Sequence, residues 1–162
     1  MPIIYKGMKE DRLPRNLEIK LGVKPIDNLP FRFRVGVLHL GYGKSGTGKT
    51  TLFGYLPIMK ICQYFMAKEG DIPDDIRFVV LDTDTGFDEN RLRIILEANK
   101  LPAKQILDKI YHYIFFSFTE QHNFIIPREG GRSKSELEEL VEKEKVVFIT
   151  LDPATYFFRQ EV

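Results

Sequence analysis

One stretch limits what this chain can fold into more than any other: Gly43, Lys44, Ser45, Gly46, Thr47, Gly48, Lys49 and Thr50. It fits G-x-x-x-x-G-K-[ST], a loop that cradles phosphate. The motif works only between a strand and a helix. Val35 to Leu40 upstream is a short apolar run that predicts a buried strand, and an apolar segment of helical length comes after the loop. Glycines let backbone N–H groups turn inward with no Cβ in the way. Those groups and the positive end of the helix then hold an anion. Lys49 adds a point charge for the β- and γ-phosphates, and the Thr50 hydroxyl is a hard oxygen ligand for Mg²⁺. Thr51 completes the set of nucleotide-binding positions.

Composition sets the frame around the loop. With 162 residues, 43% of them hydrophobic, the chain can bury a core. A net charge of +1 does not argue for strong nonspecific attraction to nucleic acid, and leaves a local basic patch open. Cys62 is the one cysteine, which excludes an internal disulfide and fits a reducing compartment. No signal peptide is expected at the start, and Leu52 to Met66 is too interrupted to span a bilayer. A cytoplasmic location is therefore expected, with no membrane partner.

Residues 1–34 are rich in proline and charge and read as an irregular lead-in. Leu21 to Asp27 reads as a turn before a short helical piece. Arg32 and Arg34 fit a contact with phosphates or a neighbouring subunit or, more simply, a solvated strand edge. The core is expected over 35–162. A first strand covers about 35–40, and a helix from about Lys49 to Met66 carries Pro57 in its interior. That proline removes the hydrogen bond to the Phe53 carbonyl and predicts a kink or break. Phe78 to Leu81 is a continuous apolar run, as in a parallel strand covered on both faces. A helix from Glu89 to Asn99 comes next, with Leu92, Ile95 and Leu96 on one face. Pro102 opens a short helix, and an aromatic third strand covers Tyr111 to Ser117. Phe115, Phe116 and Phe118 are read there as core. Asn123 to Lys134 reads as a mobile loop. Ser135 and Glu138 form a capping box for a helix to about Lys145. A fourth strand, Val146 to Leu151, ends at Asp152, and Pro153 to Val162 reads as the start of another helix.

Strand and helix alternate throughout. The expected fold class is α/β: a three-layer α/β/α arrangement with a mostly parallel sheet. Ligands in such sheets sit at the carboxyl ends of the strands, where the glycine loop, Asp84 and Asp152 fall. An acid after an apolar strand is the usual partner of a phosphate loop and orients Mg²⁺ through water. Asp152 fits that role, with Asp82 as its rival. Asp84 is a candidate for positioning water, or a turn-capping residue. His39, His112 and His122 are well separated and show no metal-ligand spacing. His39 reads as a core or strand residue.

Several segments together resemble the RecA/RadA-type recombinase ATPases, a family of P-loop NTPases. Gly22 to Asp27 is similar to the segment that introduces that core, and Gly43 to Thr50 to its phosphate loop (Walker A). Phe78 to Phe87 is similar to its second strand and catalytic turn, with Asn90, Arg91 and Leu92 next in register. Leu107 to Tyr111 resembles the approach to the next strand. Phe148 to Glu161, with Asp152, Thr155, Phe158 and Arg159, resembles the Walker B strand and the segment after that strand. The resemblance runs from about residue 20 to 162. It implies a RecA-like core, incomplete after the Walker B strand, that binds ATP with Mg²⁺. It places Asp152 as the Walker B acid and Arg91 against the adenine ring, where a guanidinium stacks well. Asp84 stands where the family has a catalytic glutamate. Aspartate is one methylene shorter, so binding intact and hydrolysis slow are expected.

The family's DNA-facing half has no counterpart here, so DNA binding by this chain alone is expected to be weak. Two functions are expected on this basis. One is a slowly hydrolysing ATPase linked to DNA recombination or repair. The other is a nucleotide-gated interaction module, a recombinase paralogue regulating a partner. A homo-oligomer or a recombinase-like partner protein would cover the incomplete sheet.

Overall fold

The computed structural model describes residues 13–29, 33–127 and 134–157. Two short strands, β1 (Glu18–Ile19) and β2 (Phe33–Arg34), pair antiparallel as a small ribbon. Between them lies α1 (Lys24–Asp27), with Pro25 in its first turn. The Asp27 carboxylate accepts from the backbone N–H of Leu21 and of Gly22 at 2.8 and 2.9 Å, which ties the expected turn to the expected helical piece.

The main sheet has three parallel strands in the order β4 (Ile110–Ile114), β3 (Ile76–Asp82), β5 (Lys145–Asp152). β3 lies in the middle because it is apolar on both faces. Ile76, Phe78 and Val80 enter one core with Ile58, Phe65, Leu92, Leu96 and Ile106. Val79 and Leu81 enter a second core with Phe115, Phe124, Leu137 and Leu140. Alternate residues of one strand thus serve opposite layers, and helices cover both faces. α2 (Leu56–Glu69), α3 (Glu89–Ala98) and α4 (Ala103–Leu107) supply the first layer. α5 (Phe118–Ile125) and α6 (Glu136–Lys143) supply the second. Each fully buried Phe, Ile or Leu removes enough apolar surface from water to contribute roughly 1.5–3 kcal/mol. The mixed α/β class and the parallel sheet are as expected.

Four expectations are corrected. Residues 35–40 form no strand. Val35 is bonded to Leu17 of the ribbon, and Gly36 then turns the chain out with φ +79°. Leu38, Leu40 and Tyr42 are 96, 82 and 94% exposed. A buried strand needs a neighbour, and β5 pairs only with β3 among the described residues.

Of the kink or break expected at Pro57, the break does not occur. The turn before it, Thr51–Tyr55, widens to a π-helix, and Leu56 N–H donates to Thr51 O. The missing proline N–H is absorbed at that widened turn and α2 starts with Pro57 in its first turn.

Asn123 begins no loop, because it lies within α5. Ser117 caps that helix by accepting from Glu120 N–H at 3.2 Å, while the Glu120 carboxylate accepts from Phe116 N–H at 2.9 Å. The aromatic strand is also shorter than expected. Phe115 is buried, but Phe116 is 76% exposed and Phe118 opens α5.

Residues 128–133 and 158–162 lie outside the described residues, as do Arg32 and residues 1–12. The readings placed on Phe158, Arg159 and Glu161, and on a further helix beyond Phe157, therefore fall outside them too. Pro153 to Tyr156 form turns. No described helix is long and apolar enough to cross a membrane.

Candidate functional site

The glycine loop is exposed and folded upon itself. Gly46 and Gly48 have φ of +78° and +83°, values that L side chains rarely adopt. Thr47 Oγ1 donates to Lys44 O at 2.8 Å. Lys49 Nζ donates to Gly43 O at 3.1 Å and to Lys44 O at 3.0 Å, so the ammonium closes the loop from inside. The chain is helical from Lys49, and Leu52 N–H donates to Gly48 O at 2.9 Å. Two glycines at positive φ, the inward-turned Lys49 and a helix start thus meet in one short exposed loop. Ser45 lies at the exposed tip, and Thr51 begins the π-helical turn. The approach to the loop is held by Gly41, where a Cβ would run into the Phe53 ring.

Thr50 meets Asp152. Its hydroxyl donates to Asp152 Oδ2 at 2.5 Å, joining residues 102 positions apart. The two hard oxygen groups expected at a Mg²⁺ site thus stand side by side at the carboxyl end of β5. Among the described residues no group of three or more His, Cys, Asp or Glu could hold a metal. A Mg²⁺ site needs no such cage, since one or two protein oxygens with phosphate and water suffice. Thr50 and Asp152 fit that chemistry.

Asp82, the rival, is committed elsewhere. Its side chain is buried, and it accepts from Asp84 N–H at 3.2 Å, Gly86 N–H at 3.2 Å and Phe87 N–H at 3.0 Å. His112 Nε2 lies 3.1 Å from Asp82 Oδ2. A carboxylate with this many partners shapes the turn after β3 and has little left to offer a cation.

Asp84 is exposed in that turn, as are Thr85 and Gly86 beside it. Its Oδ1 accepts from Gly86 N–H at 3.0 Å, so part of its carboxylate serves the turn. Partial burial, and then the charge of Asp82, push its carboxyl above the usual aspartate range; Asp152 adds to the effect. The Asp84 carboxylate therefore shares the field of the Asp152 carboxylate at one end of the sheet. A cavity of about 180 Å³ opens beside it, lined by Thr83, Thr85, Phe115, Phe116, Tyr156 and Phe157.

Arg91 sits in the first turn of α3, which Asp88 caps by accepting from Asn90 N–H and Arg91 N–H. Its guanidinium lies over the Tyr55 ring at 5.8 Å. Tyr55 belongs to the π-helical turn after the loop, and its hydroxyl accepts from Asp88 N–H at 2.8 Å. Burial raises the Tyr55 hydroxyl above its ordinary range. Arg91 is thus fixed to the helix that starts at the loop.

The remaining residues fall away from this constellation. Cys62 is fully buried and burial pushes its thiol up to about 12, so it is a core residue. His122 lies exposed on α5 beside Phe118. His39 stacks on Phe33 at 4.4 Å and accepts from Arg34 N–H at 3.1 Å, outside both cores. Arg34 is exposed on the ribbon. Sequence reasoning missed Tyr55 and His112. Neither stands at a motif spacing; each is recruited by a strand-end turn remote in the chain.

No protein-family model matches the chain. No curated protein matches it either.

Proposed function

We propose that this chain is an ATP-binding domain of the RecA/RadA-like kind that hydrolyses ATP slowly and serves DNA recombination or repair. The hydrogen bond from Thr50 to Asp152 carries the nucleotide-binding part of this reading. It brings the phosphate-loop hydroxyl to the strand-end acid that the family resemblance pairs with it. The link to recombination rests on the resemblance alone. Lys49 and the loop N–H groups would receive the phosphates of the substrate, and Thr50 and Asp152 would hold Mg²⁺, Asp152 through water. Bound Mg²⁺ would neutralise charge on the β- and γ-phosphate oxygens. Asp84 would orient the attacking water, and Arg91 would stack on the base.

One observation favours the second reading, a nucleotide-gated interaction module with little turnover. Asp84 already spends Oδ1 on Gly86 and is short for its task. The exposed Leu38, Leu40 and Tyr42 give such a module an apolar surface for a partner. Phosphate release from Mg-ATP, with and without single-stranded DNA, separates the two. The first reading expects measurable turnover that Asp84→Glu increases. Tight binding with no turnover in either condition sinks it in favour of the second.

A further inference from the structure

The turn that carries Asp84 is held from beneath by a residue that no motif marks. His112 lies on β4, in register with Val80 of β3. Its Nε2 is 3.1 Å from Asp82 Oδ2, and its Nδ1 is 3.8 Å from Glu89 Oε1 in the first turn of α3. Its ring packs edge-on against Phe87 at 5.1 Å, and Phe87 in turn lies 5.1 Å from Tyr55. Asp82 is a carboxylate acceptor of three backbone N–H groups, so Nε2 must be the donor in this contact. The same Oδ2 receives Phe87 N–H, while Oδ1 receives Asp84 N–H and Gly86 N–H. The imidazole therefore fixes the rotation of the carboxylate on which the Asp84 turn is hung. Through Glu89 and Phe87 it also touches the start of α3 and the helix behind the loop.

We propose that His112 is a positioning residue for hydrolysis: by orienting Asp82 it sets where Asp84 stands relative to the phosphate loop. The role rests on the ATPase reading above, but its physical basis does not. The contacts of His112 among the described residues are with Asp82, Glu89 and Phe87 and not with the loop, so its loss is expected to lower turnover and leave Mg-ATP affinity unchanged. A glutamine at 112 can place an amide N–H near the Nε2 position, whereas leucine fills the space with no donor.

The test has two arms on the full chain. Amide hydrogen exchange reads the turn without reference to catalysis. His112→Leu is expected to speed exchange at Gly86 and Phe87 at least tenfold relative to Val79 and Val80. His112→Gln is expected to stay within about threefold of the parent, which also guards against a variant that simply unfolds. Exchange at Gly86 and Phe87 unchanged in His112→Leu overturns the proposal whatever the turnover. In the second arm, turnover is expected to fall about tenfold in His112→Leu, with Mg-ATP affinity within twofold and recovery in His112→Gln. Equal loss of turnover in both variants, or loss that tracks affinity, overturns it. A parent chain that binds Mg-ATP without turnover refutes the ATPase reading, and with it the catalytic purpose of His112, while the exchange arm still decides whether His112 holds the turn.

Discussion

Asp82→Ala is the perturbation whose size can be worked most directly from the structure. The side chain is buried at the end of the central strand and has four donors around it. The bond to Phe87 N–H is the buried one, and leaving that group without a partner costs about 1–3 kcal/mol. Asp84 N–H and Gly86 N–H lie at the edge of the turn and can turn to water, so each loses only about 0.5 kcal/mol. His112, 16% exposed, loses an interaction with an ionised partner worth about 1.5–3 kcal/mol. The total is about 3.5–7 kcal/mol, most of it from Phe87 N–H and His112. At about 2–4 °C per kcal/mol for a domain of this size, that lowers Tm by roughly 7–28 °C. Thermal unfolding by circular dichroism, with urea unfolding to convert to free energy, measures it. A loss below about 1 kcal/mol would refute the claim that the turn hangs on this carboxylate.

Two further substitutions probe other parts of the account. Ser135→Ala removes a buried cap whose side chain accepts from Glu138 N–H while Glu138 accepts in return, so urea unfolding should show a loss of about 1 kcal/mol. A loss indistinguishable from zero would mean that α6 needs no cap. Asp84→Asn tests the sign of the electrostatics around the candidate water-positioning acid. The folded protein raises this carboxyl, so Asp84 favours folding below the ordinary aspartate range and opposes it once ionised. Asparagine keeps the acceptor for Gly86 and lacks the charge. Tm should rise at pH 7, by no more than about 0.5 kcal/mol equivalent for so exposed a group, and not at pH 3. An equal change at both pH values would contradict the shift.

Some elements were readable from local pattern because local pattern decides them. The run Phe78 to Leu81 is apolar on both faces and became the central strand, with both cores drawing on it. The Ser135–Glu138 box places the start of α6. The start of α5 carries the same signal, Ser117 with Glu120 three residues on, and the glycines and proline farther along drew the loop expectation too early. Val35 to Leu40 shows what pattern cannot decide. An apolar run becomes a strand only beside a partner, and Gly36 at positive φ sends it outward instead. At the candidate site, the loop was legible as a spaced motif and Asp152 as an acid after an apolar strand, but telling Asp152 from Asp82 needed geometry. Both end strands as carboxylates, and only their partners tell them apart: a loop hydroxyl for one, turn amides and a histidine for the other.

The central claim is that Gly43 to Thr50, with Asp152, forms a Mg-nucleotide site. Isothermal titration of the chain with ATP in the presence of Mg²⁺ tests it most directly, beside Lys49→Ala and a titration without the metal. Saturable one-to-one binding is expected, abolished in Lys49→Ala and weakened when Mg²⁺ is withheld. No binding by the folded parent chain, or equal binding by Lys49→Ala, would contradict it.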